Sequence, residues 1–276
     1  MHVPFIETLK GTRVMNTTSR QTALITGASS GIGAIYADRL ARRGNDLILV
    51  ARDASRLTAV AEAATRHGVA VETIRADLSK AADLRRVEER LRADNAIAML
   101  VNNAGIGAAP GLANADVDAL EQMIQVNVTA PTRLAAAAAS AFSAAQRGTI
   151  VNISSALALA PELFSGAYSG TKAYILNLSI SMRQELAPRG VQVQAVLPGA
   201  TRTAFWGPAG ESLPAEMVMD AEELVDAALT GLDAGEDVTI PSLPDRADWD
   251  GFNAARGRLG PNLSRQHAAA RYGRAA

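Results

Sequence analysis

Six short apolar runs, at residues 21–27, 46–51, 69–75, 97–102, 148–153 and 191–197, alternate with five stretches of helical period, and this alternation restricts the fold more than any other feature. The runs are near-continuously apolar instead of alternating with polar residues, as in strands buried on both faces. The helical stretches at 32–43, 55–67, 80–93, 116–145 and the one that carries Tyr168 and ends at Pro188 are long enough to cross over between parallel strands. The pattern predicts a single α/β domain, a doubly wound parallel sheet with helices on both faces. Sites in such sheets lie outside the carboxyl ends of the strands, and Gly27, Ala51, Asp77, Asn103, Ser155 and Pro198 all fall there. A further helix at 220–232 and a short strand at 238–240 extend the pattern.

Two motifs on that rim carry chemistry. The first is Thr26-Gly27-Ala28-Ser29-Ser30-Gly31-Ile32-Gly33, a glycine-rich turn between the first strand and the first helix. Glycines there let backbone approach a pyrophosphate, and the helix N-terminus offers it unpaired amides and a positive dipole end. The second is Tyr168 with Lys172, four apart and so on one helical face, with Ser155 upstream across a loop. The chain has lysines only at 10, 80 and 172, so this spacing is an uncommon coincidence. A neighbouring ammonium favours a phenolate, and the expectation is that Lys172 lowers the Tyr168 pKa toward neutrality, suiting it to give and take protons.

Composition narrows the function classes. A net charge of -1 draws neither nucleic acid nor an anionic membrane. With no cysteine and only His2, His67 and His267 as scattered imidazoles, no metal site is expected. No apolar run is long enough to span a bilayer, and a cytoplasmic protein acting on a small molecule is expected. Residues 1–20 are polar and patternless and are expected to be a disordered extension to a 21–241 catalytic domain. Residues 242–276 form a tail with six arginines in which little is legible beyond a helix or two.

Taken in order and spacing over residues 20–240, these motifs resemble the short-chain dehydrogenase/reductase family: the glycine turn, Asp77-Leu78, Asn102-Asn103-Ala104-Gly105, Asn127, Ser155, Tyr168-x-x-x-Lys172 and Pro198-Gly199. The resemblance implies a Rossmann-type sheet and an oxidoreductase that uses a nicotinamide cofactor. It also implies roles. Tyr168 protonates the carbonyl oxygen, and Ser155, thirteen residues earlier as in family members, donates a hydrogen bond to it. Lys172 holds the nicotinamide ribose, and Asn127 positions a water. Gly27, Ser29, Ser30, Gly31, Ile32 and Gly33 form the cofactor cradle; Asp77 and Leu78 meet the adenine, with Asn103, Ala104 and Gly105 on the adenosine side; Pro198, Gly199, Thr201 and Thr203 lie at the carboxamide end. Ser154 is a support for Ser155 or a bystander. The family also contains redox-sensing binding modules, but those usually lose the tyrosine or the lysine.

Three finer expectations follow. NADP(H) is expected ahead of NAD(H), because Ala51 stands where an NAD site places an acid, and Arg52 can offer a charged fork to a 2′-phosphate. Asp53 competes for that arginine as a surface partner. The loop 200–219, with Phe205, Trp206 and Met217, is expected to close over a hydrophobic ketone or aldehyde, or the matching alcohol, aided by Leu157, Leu159, Leu163 and Phe164. A homodimer or homotetramer is expected through the two long helices, with Ala135–Ala139, Ser140 and Ala141 as a small-residue surface.

Overall fold

The computed structural model describes residues 20–107, 111–205 and 213–273. The expected disorder of the N-terminal extension and the placement of Trp206 and Pro208 lie outside the described residues. Seven parallel strands form one sheet in the order β3-β2-β1-β4-β5-β6-β7. They are β1 Thr22–Thr26, β2 Asp46–Ala51, β3 Val71–Arg75, β4 Ile97–Asn102, β5 Gly148–Ile153, β6 Val191–Val196 and β7 Val238–Thr239. The order reverses between β1 and β4, which opens a crevice at their carboxyl ends.

The helices are α1 Gly31–Arg42, α2 Ala54–Thr65, α3 Ala81–Ala93, α4 Val117–Ile124, α5 Ala130–Ala145, α6 Gly166–Leu186, α7 Ala221–Asp233 and α8 Arg246–Gly257. One face of the sheet is covered by α1, α2 and α7, whose Tyr36, Leu40, Leu57, Leu224 and Leu229 share a core with Ile25 and Leu49. The other is covered by α3, α5 and α6, through Leu84, Leu91, Leu134, Phe142 and Met182 against Leu24, Leu100 and Ile150. Strand β1 is buried throughout, whereas the edge strand β3 exposes Glu72, Thr73 and Arg75. Charged side chains on an edge discourage pairing with another sheet.

Two sequence expectations change. The helix expected over 116–145 is interrupted by a π-turn at Gln125–Thr129, with Asn127 at its centre. Pro131 accounts for it: it has no N–H to give the Asn127 carbonyl four residues earlier, so the chain takes a wider turn. The small-residue surface is also corrected. Ala135, Ala137 and Ala138 are buried in the protein's own core against α3 and α6, where small side chains let the helices approach, and only Ala136 and Ser140 of that set are exposed.

Beyond residue 241 the chain does not trail away from the domain. Asp245 caps α8 by accepting from the Ala247 amide at 2.8 Å. Trp249 is 4% exposed and packs in a third cluster with Leu176 of α6, Ala195 and Leu197 at β6, and Val238 of β7. Truncating a buried Trp to Ala typically costs about 3–5 kcal/mol, and in a domain of this size each kcal/mol lowers Tm by about 2–4 °C. Trp249→Ala is therefore expected to lower Tm by about 6 °C or more in a thermal melt, a loss that a detached tail would not produce.

Candidate active site

At the crevice a cavity of about 510 Å³ is lined by residues from every strand end from β2 to β6 and from the glycine turn. The six rim positions read from the sequence, Gly27, Ala51, Asp77, Asn103, Ser155 and Pro198, all reach its wall. So do Ser29, Ser30, Gly31, Ile32, Arg52, Leu78, Ala104, Gly105, Tyr168, Lys172, Gly199, Thr201 and Thr203. Gly33 and Asn127 stand behind the wall.

The glycine turn is held by β4. Thr26 Oγ accepts from the amides of Asn103 at 3.0 Å and Ala104 at 3.1 Å. Asn103 Nδ2 donates back to the carbonyls of Thr26 at 2.9 Å and Gly27 at 3.2 Å. A Cβ at position 33 would sit 2.4 Å from the Gly27 carbonyl oxygen and 2.5 Å from Asn103 Nδ2, so only glycine fits this crossing. Helices α2, α4, α7 and α8 are capped by the side chains of Asp53, Asp116, Asp220 and Asp245. The Ser30 side chain makes no such bond at α1, which leaves the first amides of that helix uncommitted at the cavity wall.

At the end of β2, Asp53 turns away from Arg52. Its carboxylate accepts from the Arg56 amide at 3.0 Å and Ser55 Oγ at 2.9 Å, and pairs with the Arg56 guanidinium at 3.4 Å. Among the described residues, the Arg52 guanidinium makes no hydrogen bond or ion pair. Arg56 also lines the cavity. Sequence reasoning missed it, although a second arginine four residues after Arg52 at a helix start was a readable signal. Asp77 holds the next turn through Ser79 N at 3.1 Å and Ser79 Oγ at 2.7 Å.

At the opposite end stand Ser155, Tyr168 and Lys172. They are 6%, 4% and 5% exposed, so this corner is nearly dry. Ser154 Oγ donates to the Lys172 carbonyl at 2.7 Å, and Lys172 Nζ donates to the Ile153 carbonyl at 3.1 Å. Two opposed bonds thus tie α6 to the end of β5, and Ser154 supports the lysine rather than Ser155. Asn127 Oδ1 accepts from the Ile106 amide and its Nδ2 donates to the Ile106 carbonyl, both at 2.9 Å, while Nδ2 also donates to Thr171 Oγ at 3.2 Å. The amide side chain is therefore spent on bracing the loop after β4 and α6. Its main-chain carbonyl cannot accept from residue 131, a proline with no N–H. Thr26 and Thr171, which carry these braces, were not singled out from sequence.

Burial overturns the expectation for the phenol. Desolvation raises the Tyr168 pKa above its ordinary value, and the hydrogen bond with Ser155, which acts in the other direction, does not offset it. Lys172 Nζ is 5.7 Å from the ring centroid. The phenol is thus protonated at neutral pH, in the state of an acid that yields its proton only when negative charge develops beside it. Burial lowers the Lys172 pKa to about 8, so the amine is mostly charged at pH 7.

The rest of the expected apolar lining divides. The rings of Phe164 and Phe205 flank Tyr168 with centroids 6.1 and 6.0 Å away. Leu163 and Met217 are 73% and 64% exposed, and neither they nor Leu157, Leu159 and Phe164 line the cavity wall; of the expected apolar lining among the described residues, Phe205 does. The loop 200–219 is stitched at its feet: Met219 N donates to the Ala200 carbonyl and Arg202 N to the Met219 carbonyl, each at 2.9 Å.

The chain matches the family model described as short chain dehydrogenase over residues 21–213. Among solved structures it is similar to a short-chain dehydrogenase from Sphingobium yanoikuyae in complex with NADPH, at 51% identity and TM-score 0.88, covering 91% of this chain and 100% of that one. It is similar also to the bulky-bulky ketone specific alcohol dehydrogenase from Comamonas testosteroni, at 46% identity and TM-score 0.87, covering 93% and 100%. An uncharacterised oxidoreductase from Staphylococcus saprophyticus is 31% identical over 226 residues, which are 81% of this chain and 96% of the relative.

The buried lysine gives a pH signature. Its folded pKa of about 8 lies below the unfolded value near 10.4, so between those pH values the unfolded chain binds more protons and stability rises with pH. Below about pH 8 the full burial penalty is present, roughly 3 kcal/mol at 1.36 kcal/mol per pKa unit. In the cofactor-free protein, Lys172→Met is expected to be more stable than wild type at pH 7, by on the order of 1 kcal/mol or more once the lost bond to Ile153 is counted. The gap should shrink toward pH 10 in denaturant titrations. A gap that widens with pH would contradict the assignment.

Proposed function

The chain belongs to the short-chain dehydrogenase family, and from that premise we propose that it is an NADP(H)-dependent enzyme interconverting an apolar ketone or aldehyde with its alcohol. Membership makes it an oxidoreductase acting on CH–OH or C=O groups with a nicotinamide cofactor. One observation carries the finer reading: a protonated phenol, a serine hydroxyl and a buried ammonium meet at one dry corner of a cavity whose other end has uncommitted amides and an uncommitted guanidinium.

The residues fit the cofactor. The open amides of α1, with Ser29 and Ser30, would receive its diphosphate, and the close crossing at Gly33 keeps that space free of side chains. Ala51 leaves room beside Arg52, which would grip the 2′-phosphate, with Arg56 behind it. Asp77 and Leu78 would border the adenine, Lys172 the nicotinamide ribose, and Thr201 and Thr203 the carboxamide. When bound, the cofactor supplies or accepts the two electrons of the reaction. Similarity to a relative that holds NADPH supports the choice of NADP(H).

In the reduction direction, Tyr168 gives its proton to the substrate oxygen as negative charge grows there, and Ser155 donates a hydrogen bond to the same atom. Fixed donors in a dry site act on developing charge without reorganising, and losing one typically costs about 3 kcal/mol of transition-state stabilisation. Desolvation keeps the phenol protonated until that charge appears. The Lys172 ammonium, mostly charged at pH 7, favours the phenolate that remains. The Asn127 carbonyl would hold a water through which Lys172 exchanges protons with solvent.

Phe205, on the cavity wall, gives the substrate an apolar surface beside Tyr168, which supports a bulky apolar ketone, as does the named specificity of the Comamonas relative. The two ends of the loop 200–219 are tied to each other, and closure of the loop over the substrate falls on 206–212, outside the described residues. A homo-oligomer in the cytoplasm completes the reading.

Tyr168→Phe is expected to lower kcat by at least about 10²-fold while leaving NADPH affinity within about threefold, measured by steady-state kinetics and fluorescence titration. More than a tenth of wild-type turnover would remove Tyr168 from the role of acid. Wild type is expected to show a higher kcat/KM with NADPH than with NADH, and Ala51→Asp combined with Arg52→Ala to reverse the order. A wild-type preference for NADH, or a double variant that keeps its NADPH preference, would refute the 2′-phosphate site.

A further inference from the structure

Past Trp249 the chain forms an arm that its own domain does not cover. From residue 251 to 273 not one residue is buried, although the segment includes the second half of α8 and two short 3-10 turns. Its large apolar side chains stay largely exposed: Phe252, which stacks on Trp249, at 48%, Leu259 at 58%, Leu263 at 77% and Tyr272, whose ring carries the Arg271 guanidinium, at 67%. Its charge is one-sided. The same residues include Arg256, Arg258, Arg265 and Arg271 and no acid. Among the described residues none of these four guanidiniums meets a carboxylate; Arg256, Arg265 and Arg271 reach only neutral neighbours on the arm itself, Asn253, Asn262 and Tyr272. Exposed apolar side chains ringed by unspent charge of one sign mark a surface that meets another.

The complementary surface lies on α4 and the turn before it. Leu112, Val117 and Ile124 are 74%, 73% and 47% exposed there, beside Asp116, Asp118 and Glu121. No lysine or arginine occurs between Asp94 and Arg133. Among the described residues these three acids make no ion pair. On α7, three of the four acids are held, Glu222 and Asp226 by Arg39 and Asp233 by Arg43. We propose that the arm of one chain docks on the α4 surface of a second copy, apolar side chains against apolar and arginines against carboxylates. This contact is separate from any packing of α5 against α5, whose alanines the fold has already used.

The test is a charge exchange read by mass. In sedimentation velocity at micromolar concentration the full-length wild type is expected to be heavier than a monomer. Arg258→Glu with Arg265→Glu should raise the dissociation constant at least tenfold, as should Asp118→Arg with Glu121→Arg. Combining all four changes should restore it to within about threefold of wild type. Leu259→Ser with Leu263→Ser removes the apolar half of the contact and should also weaken association tenfold. These side chains are exposed, so far-UV dichroism is expected to stay at the wild-type value.

A monomeric wild type, or an arm reversal that leaves association unchanged, would overturn the proposal. Failure of the four-fold exchange to restore mass would overturn the placement on α4. If the arm reversal instead raised KM for a ketone with mass unchanged, or abolished binding to phosphatidylserine vesicles with mass unchanged, the arm would belong to the site mouth or to a membrane, and the second copy would be excluded. The readout is mass and does not depend on turnover, so the proposal and the reading of the active site can fail separately.

Discussion

The site depends on keeping an ammonium almost dry. Lys172 is charged at neutral pH yet scarcely reaches solvent, with the Ile153 carbonyl as its one hydrogen-bond acceptor in the described structure. Such burial is unfavourable for folding, and the surrounding arrangement accounts for its survival. Ser154 pins the Lys172 backbone to β5, Asn127 and Thr171 lock the turn that carries it, and Phe164 and Phe205 flank the neighbouring phenol. In that dry corner the same burial holds the phenol protonated and strengthens every field that acts on a developing oxyanion. On the proposed reading, stability given up at one side chain would be the source of the chemistry at the next.

Much of this was legible in the chain because it is local. β2, β4 and β5 fall at the expected residues, since each is an apolar run that ends at a polar or rim residue. The candidate residues other than Gly33 and Asn127 fall on one wall because a parallel sheet brings all its strand ends to one edge. The rest depends on facts that one-dimensional spacing does not hold. The Tyr168 pKa moves opposite to the expectation because spacing reports the ammonium but not the loss of water. The alanines of α5 read as an outer surface until α3 and α6 are seen to cover them. The π-turn was written in Pro131, but which residue it would reorient was not. The Trp249 anchor of α8 is a contact with β6 and β7 that no periodicity predicts.

Adjacent opposite charges at the end of β2 show how a helix start divides labour. Asp53 would cancel Arg52 if both were loose on the surface. Capping α2 gives the carboxylate amide donors and the dipole end, and takes it out of reach. The arginine stays available at the cavity.

The tie between Thr26 and Asn103 joins residues 77 apart in the chain. A nascent polypeptide that has released β1, α1 and the glycine turn therefore has every residue of a phosphate cradle and no cradle, because the atoms that set the turn arrive with β4. Closing so long a loop is slow compared with forming the helices on either side. On the proposed reading of the turn, nucleotide capture would follow the pairing of β1 with β4.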